Sequence, residues 1–175
     1  MLKNLFRPRP QNRQAEALYA LAVEQARAPA FYTRLGVADR IDARFELYTL
    51  HVLLLFLRLK DEGEPGAEVA QRLFDTYVSS LDNVLRELGV GDVSVGKKMR
   101  KLGEALYGRM SVYEKAIRDG DRTALSSSLA RNILDSEETE RGAALADYAL
   151  ASREALAAQS LLSPAARPVW AEISR

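Results

Sequence analysis

No cysteine occurs in this chain. That excludes disulfides, thiol catalysis and cysteine-ligated zinc or iron–sulfur centres together, and it suits a reduced compartment. Aromatics are scarce, at 7%, and Val/Ile-rich alternating runs are missing, which argues against a β-sheet core. Net charge is only +1, so no overall field draws in nucleic acid. No apolar run approaches the roughly 18 to 20 residues of a membrane-spanning helix. The nearest, LYTLHVLLLFL at 47–57, breaks off early and contains the one histidine, His51. A secretory signal is not expected either, since MLKNLF is too short for an apolar region and RPRPQNR follows it.

What is present is abundant Ala, Leu, Arg and Glu, all strong helix formers, in 175 residues. An apolar fraction of 47% and a charged fraction of 28% suit one ordinary domain with a real core. The reading is all-α: a single helical domain of about six helices spanning 12–175, preceded by a flexible basic segment, 1–11. Periodicity and punctuation place helices at about 13–27 (capped by Asn12), 29–35 (closed by Gly36), 42–62, 66–88, 93–119, 122–134 and 137–162. EGEPG reads as a break, Gly89 as a C-cap, Asp92 or Ser94 as an N-cap, and Asp135-Ser136 as start signals. Trp170 is expected to pack back on the body.

The stretch Gly91-x-x-x-x-Gly96-Lys97-Lys98 spells most of a phosphate-binding loop. Such a loop needs a buried strand before its glycines, and a hydroxyl after its lysine to hold magnesium. Here an amphipathic helical pattern precedes it, and Lys98 replaces the hydroxyl. A helix–helix turn explains the glycines better. His51 has no ligand neighbours at helical spacing, and no nucleophile elbow exists. No catalytic residues, no metal site, no cofactor and no small-molecule substrate are expected, so the chain reads as a binding protein and not an enzyme.

Arg44, His51 and Arg58 are seven apart and form a polar stripe on the most apolar helix; Asp75 and Asp82 repeat the spacing on the next. Two readings stand: a buried pairing of Arg58 with Asp75 and His51 with Asp82 that fixes register, or a cleft that receives a partner. Lys97, Lys98, Arg100 and Lys101 crowd the start of a helix, where the dipole disfavours cations. They suggest an acidic partner, whether lipid headgroup, RNA or protein.

Several pieces occur in order: ARAPAFY at 26–32, RFELYTLH at 44–51, LRELGVGD at 85–92, VGKKM at 95–99 and ALYGRMSVY at 105–113. Together they resemble the ubiquinol–cytochrome c chaperone family over about residues 26–118. One departure is Asp42-Ala43 where Asp-Gly is usual, which favours an earlier helix start. The resemblance implies an assembly factor that binds newly made cytochrome b for the cytochrome bc1 complex. It also implies work beside a small partner protein and near the ribosomal exit. Without a convincing presequence, a bacterial member is expected, cytoplasmic and peripheral at the inner membrane. A client groove is expected from Phe31, Tyr32, Arg44, Tyr48, His51, Leu55, Arg58, Tyr107 and Tyr113, with Lys97, Lys98, Arg100 and Lys101 as a basic rim. The rim is expected to meet a ribosome or an anionic membrane; DNA is not expected. A general helical adaptor and an RNA- or ribosome-associated protein remain the alternatives.

Overall fold

The computed structural model describes residues 10–87 and 92–174; the side chains of 10 and 92–95 also fall outside the description. Seven α-helices occur among the described residues, and no strand: α1 (Pro10–Ala26), the five-residue α2 (Pro29–Thr33), α3 (Ile41–Lys60), α4 (Glu64–Glu87), α5 (Asp92–Asp119), α6 (Arg122–Leu134) and α7 (Ala143–Ala157). A 3-10 turn, Thr139–Gly142, leads into α7, and an extended tail follows it. The helix-only reading holds. Most of the N-terminal segment and the Gly89 cap lie outside the described residues.

α3 is the axis of the bundle. Its sequence is apolar nearly all round, which suits a helix surrounded by others. Leu47, Leu50, Val52, Leu53, Leu54, Leu55, Leu57 and Leu59 are all buried, with α1, α4, α5, α6 and α7 packed about them. α4 is the opposite case. Val69, Ala70, Leu73, Tyr77 and Leu81 are buried, while Gln71, Asp75, Ser79 and Asn83 stay exposed.

The α3–α4 turn is tighter than a break at EGEPG implies. Only 61–63 lie between the helices, with Gly63 at φ +78°, a conformation that costs glycine little. Pro65 and Gly66 belong to the first turn of α4, where proline's missing N–H is no loss. A Cβ on Gly66 would collide with the Leu59 carbonyl, so glycine lets α4 close directly against α3. α1 likewise begins at Pro10, which puts Asn12 inside its first turn instead of at the cap.

The last helix is shorter than expected at both ends. Asp135 adopts φ +51° and closes α6, its role being a C-cap and not a start signal, and the Ser136 N–H reaches back to the Ala130 carbonyl. Gly142 is then pressed on the Ser126 carbonyl, leaving no room for a side chain. At the far end Gln159 stops α7 by engaging the returning tail. Its side-chain amide donates to the Val169 carbonyl (3.0 Å) and accepts from the Val169 N–H (2.9 Å), like one residue of a strand. Trp170 packs back as expected, edge-on to His51 with centroids 5.0 Å apart.

Candidate functional site

An open apolar groove runs between α3, α4 and α5. Leu53 and Phe56 come from α3, Gln71 and Phe74 from α4, and Tyr107, Met110, Ser111 and Glu114 from α5, around a volume of about 290 Å³. Its walls follow from helical spacing. Phe74 stands three residues beyond Gln71 on the rim of α4's apolar stripe, and Tyr107 stands three before Met110 on α5. Tyr107 is 75% exposed, a large ring standing at the lip, and Lys60 lies over the Phe56 ring at 5.3 Å. Gly103 has open space where a side chain would project, so α5 crowds nothing at that position.

α5 is tied to α3 by a half-buried pair. Glu46 is only 5% exposed and meets the guanidinium of Arg109; its other oxygen has no hydrogen-bond partner among the described residues. Burial pushes the Glu46 carboxyl up to about 7, against the pull of Arg109. Thr49 and Tyr77 share a 2.7 Å hydrogen bond, and Tyr113 accepts one of 2.9 Å from Asn132. Burial raises both phenols well above the usual range.

The residues expected to form a client groove are scattered over three environments. Tyr107 lines the groove just described. Tyr32 and Arg44 meet on a separate concavity with Arg27, Pro29, Thr33 and Asp39, where Arg44 pairs with Asp39. Tyr48 adjoins it, since the Arg27 Nε donates to the Tyr48 hydroxyl at 2.8 Å and Arg27 lies over its ring. Phe31, His51, Leu55 and Tyr113 are fully buried, so the structure corrects their placement on an exposed groove: they are interior packing. Arg58 is mostly covered by the tail, donating to the Gln159 carbonyl at 2.6 Å and facing Glu62. Lys97, Lys98, Arg100 and Lys101 are all exposed.

The register pairing of Arg58 with Asp75 and His51 with Asp82 is not formed. His51 Nδ1–H donates to the Leu47 carbonyl (2.7 Å) and Nε2 accepts from the Tyr148 hydroxyl (2.8 Å). Burial holds its pKa down to about 4, so the ring is neutral. The short turn and Gly66 decide this outcome, because they bring Phe45, Thr49 and Leu59 to α4 and leave the Arg44–His51–Arg58 flank for α2, α7 and the tail. Sequence reasoning missed Phe56 and Phe74. Both are aromatics on apolar stripes, and nothing in one sequence separates a groove wall from a core contact.

The glycine motif lies on helix: Gly96, Lys97 and Lys98 are within α5 and the residues through Glu87 are α4, while Gly91 falls outside the described residues. Among the described residues no group of three or more acidic or histidine side chains is placed to hold a metal ion. No helix there is long and apolar enough to cross a membrane.

Comparison with known proteins converges on one family. The family model described as ubiquinol–cytochrome C chaperone matches residues 33–163, beginning just after ARAPAFY and running well past the last motif quoted above. The chain is 24% identical over 120 residues to ubiquinol-cytochrome-c reductase complex assembly factor 1 of Xenopus laevis, covering 69% of this chain and 60% of that protein. It is 23% identical over 118 residues to the assembly factor 1 of Mus musculus, covering 67% of this chain and 40% of that protein. It thus spans between two fifths and three fifths of the length of these relatives. The crystal structure of the Cbp3 homologue from Brucella abortus superposes with a TM-score of 0.83 at 32% identity, covering 94% of this chain and 92% of that one. With a helix-only bundle and a family match over most of its length, the chain belongs to the ubiquinol–cytochrome c chaperone family, whose matched relatives are assembly factors of the bc1 complex.

Proposed function

We propose that this protein is an assembly chaperone that holds newly made cytochrome b during biogenesis of the cytochrome bc1 complex, and that the α3/α4/α5 groove is where an apolar client helix rests. The observation that carries the reading is the lip of that groove. A tyrosine ring left 75% exposed above Leu53, Phe56, Phe74 and Met110 gives an apolar helix a surface to cover. Helix-in-groove recognition needs that arrangement, with anchors inserted between neighbouring helices. Binding and release are the whole task; no bond is made or broken. The Tyr32–Arg44–Tyr48 surface, a polar and aromatic concavity, suits a second protein contact, and the protein works peripherally at the inner membrane.

Site-specific photo-crosslinking in cells making cytochrome b tests this. Probes at 56, 74 and 107 are expected to capture cytochrome b, and probes at the buried positions 31, 51 and 55 are not. Tyr107→Ala should weaken capture while moving stability by no more than about 0.5 kcal/mol, as for most exposed positions. Capture from the buried positions alone, with the groove silent, would overturn the assignment.

A further inference from the structure

Unpaired cations on this bundle gather on one stretch of α5. Arg109 pairs with Glu46 and Arg118 faces Asp61, so α5 runs parallel to α3. The first turns of α5 therefore reach to and past the N-terminal end of α3. The α3–α4 turn lies at the other end, about 30 Å away along a twenty-residue helix. At the near end Lys97, Lys98, Arg100 and Lys101 are exposed, and none has an ion-pair partner among the described residues. Their neighbours there are largely self-neutralised: Arg40 with Asp42, Arg44 with Asp39, Arg86 with Asp82. At the far end Glu64 and Glu68 are exposed and equally unpaired. The screening length in physiological salt is only about 8 Å, so those acids do not cancel the cations 30 Å away. A near-neutral chain thus carries four unpaired cations on one short stretch of α5, against Glu104 one turn on and Glu87 at the end of α4, both exposed and likewise unpaired among the described residues. Ile41, 61% exposed, adds an aliphatic side chain toward the same end.

We propose that this end docks on an anionic lipid surface, with Lys97, Lys98, Arg100 and Lys101 against phosphate headgroups and Ile41 reaching the interface. Spacing favours lipid over RNA. The four cations lie on one face of α5 over little more than a turn and make a short patch, whereas single-stranded nucleic acid is held in an extended basic groove with aromatic stacking platforms. The exposed ring nearest them, Tyr107, stands over the apolar groove instead. An exposed aliphatic toward the same end as a cation cluster suits an interfacial foothold. End-on docking sets the α3/α4/α5 groove upright on the membrane, so that a client helix meets it lengthwise. That consequence rests on the chaperone reading; the lipid contact does not.

Flotation of the full chain with phosphatidylcholine vesicles, with and without phosphatidylglycerol, tests the docking at low and high salt. Binding is expected only with the anionic lipid and should weaken with salt. The triple variant Lys97→Glu, Lys98→Glu, Lys101→Glu should lose at least about tenfold in partitioning. It should stay folded, because acids near the start of α5 suit the helix dipole. A control reversal of Arg13, Lys115 and Arg167 changes net charge equally and should bind nearly as the parent does. The proposal is overturned if both triples lose binding equally, if neutral vesicles bind as well, or if a homopolymeric RNA binds where anionic vesicles do not. Cytochrome b crosslinking at 107 provides the separating readout. Vesicle binding without any client capture sinks the chaperone reading and leaves the docking standing.

Discussion

Glu46 and His51 are buried one turn and a half apart on α3, and their titrations oppose each other. Glu46 is raised from 4.5 to about 7 by burial. Between those values the unfolded chain has released the proton and the folded chain still holds it. Stability is therefore full below pH 4.5 and falls as pH rises toward 7, by about 1.4 kcal/mol per unit and about 3 kcal/mol in all. His51 is lowered from 6.5 to about 4, also by burial. Its contribution is present above 6.5 and is lost as pH falls toward 4, with the same slope in the other direction. Over roughly pH 5 to 6 the two cancel, and the parent protein should show almost flat stability. Glu46→Gln removes one side of the balance, so its stability should climb with pH by about 1.4 kcal/mol per unit across that window. His51→Gln should give the reverse slope. Asp42 and Asp147, both lowered, titrate below this range and leave the comparison clean. Urea unfolding followed by circular dichroism at half-unit pH steps reads the slopes. A Glu46→Gln profile parallel to the parent between pH 5 and 6 would refute the argument.

Gly66→Ala should destabilise by about 1 to 3 kcal/mol, seen as a lower urea midpoint, because its Cβ meets the Leu59 backbone and neither helix can retreat. Gln159→Ala should release the tail, since Val169 loses both bonds to that amide. Trp170, the single tryptophan, leaves its place against His51 and its emission should shift to the red, with new protease cleavage beyond 160. Unchanged fluorescence would mean that Trp170 anchors the tail without the clamp.

Most of the architecture was written in local terms. Apolar spacing on α4 and α5, Pro29 opening α2, Gly36 closing it and Asp121 accepting from the Ala124 N–H are all effects within a few residues, and these elements appear with only their ends displaced from the expected bounds. Where the expectation slipped, a contact from elsewhere in the chain decided. The end of α7 depends on Gln159 meeting Arg58 and Val169, and Asp135 caps α6 because the chain must turn there to bring Gly142 onto Ser126.

The candidate site was less legible, and for a physical reason. A half-covered aromatic on an apolar stripe carries the same pattern whether it faces a neighbour or an open groove. Phe31 and Tyr107 were both expected in the groove, yet one is wholly buried and the other mostly exposed. Composition and period by themselves determined a cysteine-free helical bundle with a cation-rich start to α5, since those depend only on residue type and spacing. Which flank of α3 met α4, which aromatics stayed uncovered, and the gathering of unpaired cations at one end waited on tertiary structure. The close approach at Gly66 and the parallel run of α5 beside α3 set all three.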